Sequence, residues 1–119
     1  MGLQVSIRRF AGVIILDLQG RVTIGRANDL LSGHLRKLIS DGERKVLLNI
    51  AGLEQVDSSG LSTIVRAFVS LRHEGGSLKL LRPRSSVKLV LETLHLLDVI
   101  PNYGEEAQAV ASFSKAASA

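Results

Sequence analysis

The chain has 119 residues, of which 45% are hydrophobic and 22% charged, and its net charge is +4. This length and balance predict one globular domain, residues 1–119, with a core that needs no disulfide or metal. The chain contains no cysteine, which excludes thiolate catalysis and cysteine zinc sites. No apolar run approaches the roughly 18 residues that cross a bilayer. We therefore expect a cytoplasmic protein that makes no use of a membrane.

The positive charge is concentrated in one part of the chain. Between residues 60 and 90 the only acidic residue is Glu74, and the basic residues are Arg66, Arg72, Lys79, Arg82, Arg84 and Lys88. Aromatic residues make up 3% of the chain and tryptophan is absent, so the stacking surfaces that hold single-stranded nucleic acid are missing. We expect no direct contact with nucleic acid. The basic segment is either a solvated surface or a contact for an acidic partner.

The first part of the chain predicts a hairpin and then a helix. The segments "LQVSIRR" (3–9) and "VIILDLQG" (13–20) are rich in branched apolar residues and are separated by a short turn. Thr23 is predicted to cap an amphipathic helix that ends at Gly42. Its apolar positions recur every three or four residues, at Ile24, Ala27, Leu30, Leu31, Leu35, Leu38 and Ile39.

The rest of the chain alternates between strand and helix patterns. "KVLLNI" (45–50) is typical of a central strand that is buried on both faces. A helical pattern follows from Leu61 to the double glycine at Gly75, and "SLKLLRP" (77–83) predicts the next strand. Ser85 or Ser86 then opens a third helix. "DVIPN" predicts a short strand and "EEAQAVASFSKA" a last helix.

The resulting order is β-β-α-β-α-β-α-β-α. Alternation after an initial hairpin predicts an α/β fold with a mixed, mostly parallel sheet of about five strands and about four packed helices. We expect the folded core to cover about residues 3–113 and the end of the chain, 114–119, to be a frayed tail.

The stretch Asp57-Ser58-Ser59-Gly60 lies between the central strand and the second helix, where α/β proteins commonly build sites. Asp57 is predicted to be the N-cap of the helix and to accept a hydrogen bond from the N–H of residue 59 or 60. Ser58 then lies in the first turn, Ser59 has a free hydroxyl, and Gly60 allows a close approach of the backbone. A simple cap with no further role would account for the aspartate.

Two catalytic interpretations of this stretch fail. A nucleophile elbow needs a glycine where this chain has Val56, and the three histidines, His34, His73 and His95, lie in helical segments away from the serines. A phosphorylated Asp57 would need further acids at the ends of the first strands, where the chain reads "IRRF" and "LQGR". We expect no enzyme activity, no metal and no cofactor.

Modification of Ser58 by another enzyme remains. A phosphate adds about −1.5 to −2 charges, and the free N–H groups of a helix start tolerate such an anion. The fold would survive, but a partner docked on that helix end would lose affinity.

The segments "VLLNIAGLEQVDSSGLSTIVRAF" and "EGGSLKLLRPRSSVKLVLETLHLLDVI" resemble the STAS domains of bacterial anti-sigma factor antagonists. The resemblance runs from about residue 3 to 113 and includes the hairpin, Gly20 and the D-S-S-G-L context. It implies a binding module whose affinity for an anti-sigma factor serine kinase is switched off when that kinase phosphorylates Ser58. A PP2C-like serine phosphatase would reverse the modification, and the module would be a monomer or a weak homodimer.

Many members of that family carry a glycine-acid-x-Asp segment after the second strand and contact the kinase there. This chain has Gly20-Arg21-Val22-Thr23 instead, so both acids are replaced. The kinase contact is therefore expected to differ around Arg21 and Thr23, and Arg66 is a further candidate for partner contact. The alternative is a STAS subunit that regulates a transporter assembly without being phosphorylated. A nucleotide-binding STAS domain is disfavoured because the chain has no P-loop.

Overall fold

The computed structural model describes residues 2–118, and the chain opens with an antiparallel hairpin. β1 (Leu3–Phe10) pairs with β2 (Val13–Val22) along its whole length. The two turn residues, Ala11 and Gly12, both have positive φ, at 52° and 81°. This is the backbone of the tight two-residue turn that matches the twist of paired strands. The hairpin predicted from the sequence is confirmed.

Three more strands extend the sheet in chain order. β3 (Lys45–Val56), β4 (Ser77–Leu81) and β5 (Asn102–Tyr103) run parallel to β2, so the order is β1-β2-β3-β4-β5. The helices that connect and follow them are α1 (Arg26–Ser40), α2 (Ser58–His73), α3 (Ser85–Thr93) and α4 (Glu106–Ser118). Over residues 2–118 this confirms the α/β fold with five strands, a hairpin and four helices.

The two faces of the sheet are covered unequally. α1, α2 and α3 bury alternate residues of the strands in the larger apolar cluster, which includes Leu16, Leu48 and Leu80. α4 covers the opposite face with a smaller cluster, formed by Val13, Ile15, Leu47, Leu81, Ala109, Val110 and Phe113. The first halves of β2 and β3 are therefore apolar on both sides, as their near-continuous hydrophobic runs predict.

The start of α1 differs from the prediction. Thr23 does not cap the helix: α1 begins after Gly25, which has φ 108° and offers no side chain for a cap hydrogen bond. A positive φ is accessible to glycine at little cost, so Gly25 can turn the chain into the helix. Ile24, predicted to lie on the apolar face of α1, is outside the helix and 81% exposed.

Three strand boundaries also differ. β3 runs six residues beyond the predicted end at Ile50, because Leu53 and Val56 are still buried and still pair with β2. β4 stops at Leu81, since Arg82 has a positive φ of 52°. The short strand predicted at "DVIPN" (98–102) lies later, at Asn102–Tyr103, because a 3₁₀ turn (Leu96–Asp98) and a bend precede it.

α4 is held to the sheet by polar contacts as well as by packing. Arg8 on β1 donates to Asp17 on β2 and to Glu106 at the start of α4, and its guanidinium lowers the pKa of both carboxyls. The buried Lys79 ammonium donates to Ser112 Oγ over 2.9 Å and lies 4.5 Å from the centre of the Phe113 ring. Cation–π attraction thus helps to offset its loss of water.

The end of the chain leaves one prediction open. The backbone of residues 114–118 continues α4, while Ala119 lies outside the described residues. The frayed tail at 114–119 therefore stays a prediction. Among the helices of residues 2–118, none is long and apolar enough to span a bilayer.

The smaller cluster makes a direct test of how α4 is held. Phe113 is 2% exposed and Phe10 is 57% exposed. We expect Phe113→Ala to lower the free energy of unfolding by about 3 kcal/mol or more, the usual cost of emptying a buried phenylalanine site. Phe10→Ala, the matched control, should change it by less than about 0.5 kcal/mol. Urea unfolding measures both, and equal effects would contradict the packing described here.

Candidate functional site

The Asp57–Gly60 stretch lies at the carboxyl edge of the two central strands. β3 ends at Val56 and α2 begins at Ser58, so Asp57 is the single residue between them. The Asp57 N–H donates to the carbonyl oxygen of Val22, the last residue of β2, over 3.1 Å. The start of α2 is thereby fixed to the ends of both strands.

The Asp57 carboxylate binds two segments of the chain at once. Oδ1 accepts the Ser59 hydroxyl at 2.6 Å and the Gly60 N–H at 3.0 Å, which is the predicted N-cap. Oδ2 accepts the N–H of Ile24, in the loop between β2 and α1, at 2.8 Å. These donors, the Ser59 hydroxyl first and then the Gly60 and Ile24 N–H groups, lower the pKa of Asp57. The site therefore carries a carboxylate at neutral pH.

The two serines have different surroundings. Ser58 is exposed and is the first residue of α2. Ser59 is half-buried and its hydroxyl is bonded to Asp57, so the expectation of a free Ser59 hydroxyl is wrong. An N-cap carboxylate can accept hydrogen bonds from several donors of the first helical turn. Here Asp57 Oδ1 accepts the Ser59 hydroxyl as well as the Gly60 N–H. Ser58 is therefore the more accessible serine of this pair.

Gly60 is required by packing rather than by backbone conformation. A Cβ placed there would lie 2.7 Å from a methyl carbon of Val22 and from one of Val56, and 2.8 Å from the carbonyl oxygen of Val22. Carbon atoms in contact are normally about 3.5–4.0 Å apart. The first turn of α2 can approach the strand ends only because this residue has no side chain.

Three further residues were predicted to contact a partner: Arg21, Thr23 and Arg66. Arg21 is exposed near the end of β2 and pairs with Gln55 of β3, two residues before Asp57. Thr23 is half-buried and contributes its carbonyl oxygen to the Asn28 N–H. Arg66 is exposed on α2, about 12 Å beyond Ser58 along the helix axis at 1.5 Å per residue. Thr23 thus precedes the residue whose N–H Asp57 holds, Arg21 lies beside Gly2, Leu3 and Gln4, and Arg66 lies two turns along α2.

Ile24 belongs to the site, although the sequence pattern assigned it to the core. Its side chain is 81% exposed and its N–H is held by Asp57, the residue before Ser58, so the loop that carries this apolar group is tied to the start of α2. Ile24 precedes a series of apolar residues at helical spacing, so the sequence pattern assigned it to the buried face of the helix. The glycine at position 25 is the one signal that could have shown an earlier interruption of the helix.

The contacts of the site do not form a catalytic triad. Asp57 and Ser59 bond to each other and to backbone N–H groups, and of the three histidines, His95 is bonded to Asp98 over 3.3 Å. Within residues 2–118, no three His, Asp or Glu side chains are grouped so that they could hold a metal ion. What the arrangement offers is an exposed hydroxyl next to a fixed carboxylate at a helix start.

These features define a small α/β domain that presents one serine at a rigid junction of strand and helix. Residues 4–109 match the family model of the STAS domain. The chain therefore belongs to the STAS domain family, as predicted from the sequence. One relative is BtrV of Bordetella bronchiseptica, named as a candidate anti-sigma factor antagonist, which is 28% identical over 114 residues, with 96% of this chain and 97% of BtrV covered.

Solved structures share the fold. An anti-sigma factor antagonist candidate of Thermotoga maritima superposes with a TM-score of 0.86 at 23% identity, covering 92% of this chain and 94% of that one. The Bacillus cell fate determinant SpoIIAA in its phosphorylated form gives a TM-score of 0.70 at 19% identity, covering 88% and 96%. At these identities the similarity shows the fold alone.

Substitution of Gly60 should reveal the close approach described above. We expect Gly60→Ala to lower the free energy of unfolding by about 1–3 kcal/mol, the usual cost of overpacking. Gly33, in α1, is exposed, and a Cβ there would meet nothing within 4 Å. Gly33→Ala should therefore stabilise the protein by about 0.5–1 kcal/mol. Chemical denaturation compares the two, and the same sign for both would contradict the packing argument.

The Asp57 bonds should depend on pH in a defined direction. Because the pKa of Asp57 is lowered in the folded state, its stabilisation is complete above the ordinary aspartate pKa of about 3.9 and is lost as the pH falls through the lowered value. The unfolding free energy of Asp57→Ala should therefore fall below that of wild type at neutral pH and approach it in acid. Denaturation across this range measures the difference, and a constant difference would be inconsistent with ionised Asp57 as the cap.

Proposed function

We propose that this protein is an anti-sigma factor antagonist: a binding module whose affinity for an anti-sigma factor serine kinase is switched off by phosphorylation of Ser58. A PP2C-like serine phosphatase restores the binding form. The observation that carries the proposal is the exposed Ser58 hydroxyl at the first residue of α2, beside a carboxylate that is fixed by its own hydrogen bonds. The module works in the cytoplasm as a monomer or a weak homodimer.

Similarity supports this choice among the functions of STAS domains. BtrV, which covers nearly the whole chain, is named as a candidate anti-sigma factor antagonist. SpoIIAA, which has the same fold, is known in a phosphorylated form. A fold of this kind can thus hold a phosphorylated state, and Ser58 is where this chain has an accessible hydroxyl in the D-S-S-G-L context.

Phosphorylation of Ser58 would change charge more than structure. A phosphoserine carries about −1.5 to −2 charges near neutral pH. It would stand next to the Asp57 carboxylate, which already takes up the Gly60 N–H that could otherwise stabilise an anion. The partner would then meet a dianion and a carboxylate together, and contact would bring desolvation cost and repulsion from any acid on its surface. The core residues behind the site need not move.

The residues around Ser58 would serve binding and not chemistry. Asp57 and Gly60 fix the helix start, and Ser59 supports Asp57 through its hydroxyl. Arg21 and the exposed Ile24 provide one charged and one apolar contact on the neighbouring β2–α1 side. This role requires no catalytic group in the protein itself, because the kinase and the phosphatase supply the reactions.

The test is phosphorylation by the serine kinases encoded in the same genome. The purified protein, ATP and each kinase are incubated together, and the phosphate is located by mass spectrometry. We expect one phosphate, on Ser58, because Ser58 is exposed and the Ser59 hydroxyl is bonded to Asp57.

Two variants make the result decisive. Ser58→Ala should abolish the label, and Ser59→Ala, the matched control one residue away, should keep it. A label that persists in Ser58→Ala would assign the modification to another residue. Absence of a label with every encoded kinase would remove the proposed switch.

A further inference from the structure

α1 and α2 pack side by side over the sheet and leave a groove between them. Its volume is about 180 Å³. The groove is lined by Ser32, Leu35, Arg36, Ile39, Thr63, Arg66, Ala67 and Ser70. At the end nearest the start of α2, the Thr63 hydroxyl donates to Asn28 Oδ1 over 2.6 Å and bridges the two helices. We call this feature the α1–α2 groove.

The groove has a guanidinium group on each side. Arg36 on α1 and Arg66 on α2 are both exposed, and among the side chains that the structure describes, no carboxylate lies within 4.0 Å of either. Other arginines of the chain are paired: Arg8 with Asp17 and Glu106, Arg9 with Glu43, and Arg44 with Glu74. The two groove arginines therefore keep their donor groups available.

The two helices carry little negative charge to offset the two arginines. α2 contains no acidic residue. On α1 the acid is Asp29, in its first turn, and Asp41, just beyond the helix, is paired with Lys37. The face formed by the two helices is therefore positive along the groove, and a negatively charged occupant would be favoured there.

The floor of the groove is apolar. Leu35 is 2% exposed, Ala67 is 6% exposed, and Ile39 is half-buried. Ser32 and Ser70 add hydroxyls to the lining. Arginine binds carboxylates with two parallel hydrogen bonds, whereas an aliphatic floor selects for an apolar side chain. The combination fits a segment that carries acids on either side of an apolar residue.

We propose that the α1–α2 groove binds an acidic segment of the same protein partner that covers Ser58, with a carboxylate to each of Arg36 and Arg66 and an aliphatic side chain between them. This inference rests on the proposed function. Position favours such an occupant: α2 begins at Ser58, and the groove starts at Thr63, five residues further on. A protein that covers the helix start can extend along the same helix. The groove would then supply affinity that phosphorylation does not touch.

The test is calorimetry with the kinase that labels the wild-type protein at Ser58. Arg36→Glu and Arg66→Glu should each weaken binding by about tenfold or more, because each places a carboxylate against one of the partner's acids. Arg72→Glu makes the same charge change on α2 outside the groove and should alter the dissociation constant by less than about threefold. Thermal melts check that all three variants fold.

The outcomes separate this inference from the proposed function. If Ser58→Asp weakens binding but both groove variants bind like wild type, the groove proposal is wrong and the switch stands. If no encoded kinase binds the wild-type protein, both are wrong. Equal losses in all three arginine variants would show a general charge effect and overturn the groove proposal.

The same variants would also show whether the groove binds something other than a segment of the kinase. A single-stranded RNA oligonucleotide, or inorganic phosphate at millimolar concentration, would be titrated into wild-type protein while the groove amides are followed by NMR. Binding that Arg36→Glu and Arg66→Glu abolish, with unchanged kinase affinity, would assign the groove to a nucleic acid or a small anion and overturn the proposal. No binding of either probe, with weakened kinase affinity, supports it.

Discussion

The Asp57 carboxylate holds together the three parts of the chain that meet at Ser58. One oxygen caps α2 through Gly60 and Ser59, and the other holds the loop after β2 through the Ile24 N–H. The cap works only because α2 comes close to the strand ends, which the missing side chain of Gly60 allows. One ionised group and one glycine thus determine where the serine stands and which loop stands beside it.

The sheet beneath gives this junction its rigidity. α1 to α3 cover one face of β2 and β3, and α4 covers the other face near the strand starts, so Val22 and Val56 at the strand ends are buried in the larger apolar cluster. The proposed phosphorylation of Ser58 would then act at the surface and leave these contacts unchanged. A switch of this kind needs a partner that senses charge at the helix start, and the α1–α2 groove offers that partner a second, uncovered point of attachment.

The order of elements, the sheet type and the Asp57 cap could be predicted because each follows from local pattern: alternation of apolar runs, and an aspartate three residues before an N–H that lacks a partner. The start of α1 could not. Thr23 is a good capping residue, but the Ile24 N–H is taken by a carboxylate 33 positions away, and the helix begins after Gly25. Tertiary contact overrode local preference.

The α1–α2 groove could not be predicted from local sequence pattern either. Arg66 could be singled out by its charge, yet Arg36 becomes its counterpart only when α1 and α2 lie side by side. The free Ser59 hydroxyl failed for a different reason, because its partner is the neighbouring cap residue, two positions away. The contacts that join two separate elements, Asp57 to Ile24 and Arg36 beside Arg66, were the ones that the sequence pattern did not show.

The central claim is that a phosphate on Ser58 removes the partner without unfolding the module. The most direct measurement is calorimetric titration of the kinase with wild-type protein in its unphosphorylated and its fully phosphorylated form. The account predicts a dissociation constant at least about a hundredfold larger for the phosphorylated form, equivalent to about 2.7 kcal/mol, with the two forms melting at similar temperatures. Equal affinities of the two forms would contradict it. A loss of affinity caused by unfolding of the phosphorylated form would also contradict it.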